Sequence, residues 1–465
     1  MVDVISLPVE ILRHISSFTD RESCKQLGLT CRLFRDTSKP WLFRDTMVSP
    51  TDESCEQFET FLEYRHLSQY VTKIYLDISK FEPDEPDFEE TREENIEDGE
   101  GAWGAVLPRR FWNLFGRLAE LPRLRSVALC FSHDCENSDI FIAGPPQTSL
   151  FRSIVMNKFM SSLSSLPRLP RELAIRNLQN INATDPTTKA MITLVLKGLQ
   201  SLRLNIINEH SEQNGELDLQ VCYPNKASRG HQAKGKSQKK EPHIFYTKLP
   251  SIWLKPTTSN LRHLTLYSNL YFGFYPKLDL REAHFPHLET LSLGNYAFVH
   301  DSQLDWILSH GSTLTELYLD DCTIIHEVAT YDKERTYLSP DTFRAHPKLE
   351  GKVYASYEKR WHDYFRAFKD GLPLLRHFRY GTSPYWWGDV STPFEGETEI
   401  KIGMTSGSYQ VFCDGYGPSP YMDSLIWDYD TEDDNALPPS VDEEDEEDKE
   451  ALRELCGKIG QPLEF

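Results

Sequence analysis

Apolar residues recur at two spacings along this chain, and each spacing predicts its own kind of structure. Near the start, Leu7, Ile11, Leu12, Ile15 and Phe18 fall on one broad arc of a helical wheel, with Arg13, Ser16 and Ser17 opposite. Pro8 suits the first turn of that helix, where its missing N–H costs nothing, and Ser6 is a candidate cap. A second helix is expected from Thr19-Asp20-Arg21-Glu22, in which Thr19 and Glu22 match a capping box, and Leu27-Gly28 suggests its break. A third, with Cys31, Phe34 and the basic Arg32 and Arg35, is expected to close before Pro40. Three short helices bury little surface alone, so an apolar edge on them is expected to be a docking face.

The other spacing is L-x-x-L-x-L. It begins at Leu261, again 27 residues later at Leu288 and 26 after that at Leu314. Weaker copies start at Leu124, Leu199 and around Leu375, and Val71 opens a poor one. Helical spacing precedes two of them, in Phe111, Phe115 and Leu118 and in Tyr357, Trp361, Phe365 and Phe368. Units of helix, turn and strand bury their leucines only by stacking on neighbours.

That period resembles leucine-rich repeats. The resemblance implies an irregular α/β solenoid whose parallel strands line a concave face. Positions between the leucines would point into it: Arg262, His263 and Thr265; Glu289, Thr290 and Ser292; Thr315, Glu316 and Tyr318. Trp386 and Trp387, in a Pro/Gly loop, are further anchors for a bound protein or else close the end of a core. The stretch EIKIGMTSGSYQVFCDG alternates like a β-hairpin that would cap the array.

The opening helices are more specific. Leu7-Pro8, Glu10-Ile11-Leu12, Ile15, Phe18, Leu27, Cys31-Arg32-Leu33-Phe34 and Trp41-Leu42-Phe43 together resemble an F-box, over about the first tenth of the chain. Only Cys24-Lys25-Gln26 departs, standing where that family more often has an apolar residue. The resemblance implies docking onto a Skp-type adaptor, and through it a cullin, with Leu7, Pro8, Ile11, Leu12 and Ile15 on the adaptor-facing surface. An F-box followed by leucine-rich repeats is similar to the substrate-receptor class of Skp–cullin–F-box ubiquitin ligases. The fold expected is therefore α+β overall: a three-helix F-box over residues 1–48, a degenerate repeat solenoid over 49–425, and a tail over 426–465.

Charge narrows the partners. Lys and Arg number 50 against 71 Asp and Glu, a net of -21, so nucleic acid and membrane surfaces are poor partners. Much of the acid lies in flexible-looking segments, an insertion near 82–102 and VDEEDEEDKE in the tail; a basic insertion near 224–242 is their counterpart. Beyond the acidic run, Leu452, Leu455, Cys456 and Ile459 share one helix face, which either docks back or binds a partner. No stretch nears the roughly 18 apolar residues of a membrane span, and no secretory signal is visible. Nine cysteines without repeated spacing fit reduced thiols, so a cytoplasmic or nuclear setting is expected.

Candidate chemistry adds little. Gly99-Glu100-Gly101-Ala102-Trp103-Gly104 satisfies G-x-G-x-x-G, but follows an acidic run that would repel a phosphate. Cys130, His133 and Cys135 lack a second pair to complete a zinc site. Carboxylates read as massed in tails and not placed singly among apolar residues. No catalytic residue, cofactor or metal ligand is therefore expected. The leading reading is a non-catalytic substrate receptor for an unidentified protein; the alternatives are an F-box scaffold uncoupled from ubiquitination and an enzyme with an unrecognised site.

Overall fold

The structure, a computed structural model, describes residues 7–81, 107–133, 147–207, 240–330, 338–339, 342–345, 353–383, 395–405, 407–413, 446–461 and 463. It is mixed α/β with open, mostly parallel sheet. The chain divides into two units, Met1–His133 with Ala143–Ile175, and Asp134–Ile142 with Arg176–Phe465.

The first unit opens with α1 (Val9–Ser17), α2 (Arg21–Thr30) and α3 (Arg32–Leu42). Four details differ from the sequence expectation. Pro8 is itself the N-cap of α1 and does not lie within its first turn, so Ser6 is not the cap. The cap of α2 is Asp20, whose carboxylate accepts from the Ser23 N–H at 2.8 Å and the Ser23 hydroxyl at 2.6 Å. Thr19 instead donates to the Ser16 carbonyl at the end of α1, and Glu22 is taken by Lys25 and Gln26. Gly28 does not break α2: a Cβ there would lie 3.7 Å from the Cα of Arg35, so the glycine sits where α2 meets α3. Pro40 lies inside α3, because it falls in the last turn and Phe43 N–H still returns to the Lys39 carbonyl.

Next come β1 (Asp45–Val48), α4 (Asp52–Glu63), α5 (Arg65–Ser68), β2 (Lys73–Asp77), α6 (Arg109–Arg117), β3 (Ser126–Cys130) and α7 (Ser149–Ser164). The three strands are parallel, which requires the helical crossovers between them, and Ile74 and Leu76 of β2 stand opposite Val127 and Leu129 of β3. The amphipathic α6 buries Phe111, Leu114 and Phe115. Its Arg110 meets Glu59 of α4 at 2.7 Å. The strand β4 (Glu172–Gln179) runs across the division between the units.

In the second unit, α8 (Pro186–Leu196), β5 (Ser201–Ile207), α9 (Lys240–Leu249), β6 (His263–Phe272), β7 (Thr290–Phe298), α10 (Asp301–Leu308) and β8 (Glu316–Asp320) follow in turn. After them come β9 (Thr323–Thr330), β10 (Arg344–Ala345), β11 (Val353–Ser356), α11 (Trp361–Gly371), β12 (His377–Thr382), β13 (Lys401–Ile402), β14 (Tyr409–Cys413) and α12 (Glu446–Lys458). Strands β5, β6, β7, β8 and β12 are parallel neighbours in that order. Their register aligns Leu202, Leu264, Leu291, Leu317 and Phe378 in one lateral row and Leu204, Leu266, Leu293, Leu319 and Tyr380 in the next, all buried. Alternation then sends the intervening side chains to the opposite face.

The strand β7 also joins a second set of strands. It pairs with β8 up to Gly294 and with β9 at Ala297 and Phe298, and between them Asn295 takes a φ of 57°. The stretch expected to form a hairpin instead splits. β13 pairs antiparallel with β12, whereas β14 pairs parallel with β9. Phe412 of β14 thereby joins a buried cluster with Phe274, Tyr275, Ile325 and Val328, contacts that a solvent-facing hairpin would forgo.

One close approach governs this register. Tyr267 stands opposite Gly294, lies across it fully buried, and reaches Asp320 on the next strand, its hydroxyl donating at 3.2 Å. A Cβ at Gly294 would sit 2.4 Å from the Tyr267 ring. Gly294→Ala is therefore expected to cost about 1–3 kcal/mol. Gly116→Ala, on the exposed face of α6 with nothing within 4 Å of the added atom, should stabilise by roughly 0.5–1 kcal/mol. Urea unfolding of both variants checks the contrast; equal effects would contradict it.

Candidate functional site

Two surfaces carry the residues singled out by sequence. On α1, Leu12 and Ser16 turn inward, while Ile11 is 45%, Ile15 40% and Phe18 79% exposed. The last three stand at i, i+4 and i+7, one stripe of a helix. Pro8 is exposed as the N-cap of α1, Leu7 is half-buried, and Leu29 of α2 is 80% exposed. Leu12 thus packs the module and is not presented to a partner. Cys31 and Phe34 are only partly covered. Residues 1–48 hold seven Lys and Arg against six Asp and Glu, so this module is close to neutral within an acidic chain.

The second surface is the non-leucine face of β5 to β12. Register aligns Ser201, His263, Thr290, Glu316 and His377 in one row, and Arg203, Thr265, Ser292, Tyr318 and Arg379 in the next. Thr265, Thr290, Ser292 and Tyr318 are buried there, whereas His263 and Glu316 are half-covered. The cover is partly internal. Glu397, in a short turn at Glu397–Glu399, accepts from the Arg203 guanidinium and, at 3.0 Å, from the Thr265 hydroxyl, with His263 Nε2 at 3.6 Å. Thr290 donates to Glu316 at 3.0 Å, and Ser292 donates to the Tyr267 hydroxyl.

Proton positions in this network follow by counting. Thr265 has one hydroxyl proton and gives it to Glu397, so its oxygen accepts from His263 Nε2, 2.9 Å away, and from Arg203. His263 is then the Nε2–H tautomer. Burial first, and then the nearby Arg203 charge, hold its pKa below the ordinary value in spite of Glu397. For Glu397 burial acts upward, but the His263 hydrogen bond and the Arg203 charge outweigh it and keep the carboxyl below its ordinary value.

Several residues that matter here were not among the sequence candidates. Glu397 and Asp320 are single buried carboxylates outside the tails, contrary to expectation, and Asp448 is a buried member of the acidic tail run itself. Asp320 accepts from Tyr267 and from the Ser383 N–H. Asp448 lies on α12, the terminal helix, and resolves its two open outcomes in favour of docking back. Its Oδ1 accepts from the His362 N–H at 2.7 Å, in the first turn of α11, and lies 2.9 Å from His362 Nδ1; its Oδ2 accepts from Tyr409 at 2.6 Å. Leu452, Leu455 and Cys456 are buried with it, and Lys369 meets Glu454 at 2.7 Å. Alternation in Leu-Tyr-Leu-Asp was the available signal for Asp320; nothing local marks Glu397 or Asp448.

Trp386, Trp387, Cys135 and Gly99 to Gly104 lie outside the described residues. Cys130 is buried at the end of β3. Among the described residues no group of three potential metal ligands occurs, and no helix is long and apolar enough to cross a membrane. No protein-family model matches the chain, and no curated protein does so.

Buried histidines set an acid limit. Burial lowers His310, which keeps Nδ1–H on the Trp306 carbonyl and accepts from Phe285 N–H, to about 4; burial and the Arg360 charge lower His326 to about 4. Below pH 6.5 the unfolded chain takes up protons that these folded sites refuse, so stability falls as pH drops from about 6.5 to 4. Glu397, held low, adds its own loss below its unfolded value of 4.5. Urea midpoints measured from pH 7 to 4 should decline, and His310→Gln should flatten the slope; a level profile would contradict this assignment.

Proposed function

We propose that this chain is a substrate-recognition subunit of a Skp–cullin–F-box-type ubiquitin ligase. In this reading residues 1–48 are the F-box, residues 49–425 are an irregular leucine-rich-repeat-like solenoid, and the target protein is held by the polar strand face. The observation that carries it is the stripe of Ile11, Ile15 and Phe18. These are large apolar residues left in water on a helix whose other side is packed, within a module too small to spare them.

The leucine rows support the solenoid reading, since such rows are what stacked repeats bury. The F-box resemblance supplies the name of the partner. The chain itself supplies no chemistry in this scheme. It holds a target lysine near ubiquitin activated on other subunits, which makes an intermolecular transfer nearly intramolecular. The cytoplasm and nucleus are where such a complex would act.

Binding of the full chain to a purified Skp-type adaptor tests this. Ile11→Asp and Phe18→Asp should each weaken binding by tenfold or more, on the order of 1.4 kcal/mol, and leave the unfolding midpoint unchanged. Leu12→Ala should behave oppositely, costing the module about 2–5 kcal/mol of stability. A folded wild-type chain that binds no adaptor would remove the proposal. Adaptor binding without ubiquitin transfer to a captured protein would favour the scaffold.

A further inference from the structure

Arg203, Thr265 and His263 come from adjacent strands and converge on one oxygen of Glu397. The donors stand on a rigid ladder. The acceptor does not: Glu397 belongs to a short turn in which Glu395, Thr398 and Glu399 are exposed. That turn is fastened near its end by Ile400, whose side chain is buried and whose carbonyl accepts from Arg379 at 2.8 Å.

We propose that Arg203, Thr265 and His263 form a carboxylate-binding subsite for an acidic side chain of a partner protein, occupied in the free chain by the turn around Glu397. The inference rests on reading the polar strand face as the target-holding surface. Thr265 has no contact with solvent, so its hydroxyl proton needs an acceptor within the protein; an unmade bond of that kind costs about 1–3 kcal/mol. Arg203 makes the same acceptor worth more if it is charged, because guanidinium–carboxylate bonds are about twice as strong as neutral ones. A partner's carboxylate therefore replaces Glu397 bond for bond, whereas an amide oxygen accepts the same bonds without the charge that makes them strong.

The row that contains Arg203 ends in a second cation, Arg379, on β12. The turn has the sequence Glu395-Gly396-Glu397-Thr398-Glu399, with acids at alternate positions. An acidic segment of similar spacing is thus the class of ligand this face fits. Exchange of one carboxylate for another leaves the number of hydrogen bonds unchanged. Occupancy is then set by how much partner is present.

The test uses the full chain with Glu397→Ala, and Glu397→Gln beside it in case the first does not fold. The probes are sodium propionate, propionamide, and a blocked peptide of residues Glu395–Ile400. Glu397→Ala should lower the thermal midpoint. Propionate should restore it beyond sodium chloride of equal ionic strength, propionamide should not, and Arg203→Met in the same background should abolish the rescue. By fluorescence anisotropy, the labelled peptide should bind either Glu397 variant about tenfold or more tighter than wild type, where the tethered turn competes.

Propionate no better than chloride would overturn the subsite. So would peptide binding unchanged when Gln replaces its central Glu. Rescue by propionate without peptide binding would overturn the partner and leave an anion pocket serving this chain alone. None of these readings involves the adaptor, so a failure of the ligase assignment is seen separately, in adaptor binding by the same proteins.

Discussion

A carboxylate withdrawn from water must be given donors, and in the second unit Asp320, Glu397 and Asp448 are so withdrawn. Each takes its donors from segments distant in sequence. Asp320 holds Tyr267 of β6 and the backbone at Ser383; Glu397 holds β5 and β6; Asp448 holds α11 and β14. The leucine rows supply adhesion, which is non-directional and tolerant. The carboxylates supply the connections that only one arrangement of these strands and helices satisfies. Their satisfaction is a condition on every element they touch, because a donor removed leaves a buried charge behind.

The division of labour also explains what the sequence revealed. L-x-x-L-x-L is a local pattern, and the strands it marks lie where the pattern lies, from Leu202 to Leu319. The spacing of Phe111 and Phe115, or of Trp361, Phe365 and Phe368, marked α6 and α11 for the same reason. Local errors came where two residues competed for one role. Asp20 outcompetes Thr19 as a cap, and a glycine at a helix crossing reads as a break. The pairing of polar partners was not legible. Glu397 is nearly two hundred positions from Arg203, and no periodicity connects them.

The candidate sites were readable to different degrees for a related reason. A face on one helix is a local object: Ile11 and Ile15 emerge exposed, with Leu12 turned away because a helix wide enough to dock must also be held. The strand face is a long-range object. Thr265 and Ser292 occupy the expected face, yet they are buried, because what lies over a sheet is decided by segments elsewhere in the chain. The two surfaces therefore differ in kind. One presents apolar groups to water; the other has its polar groups already engaged.

The Tyr267–Gly294–Asp320 row has a consequence for how this sequence can drift. Gly294 can acquire a side chain only if the ring over it shrinks, and a smaller residue at 267 strips Asp320 of a donor. Each such change is thus penalised at a position left behind. Position 267 is the hinge of a heritable coupling across more than fifty residues, tied to 294 by space and to 320 by a hydrogen bond.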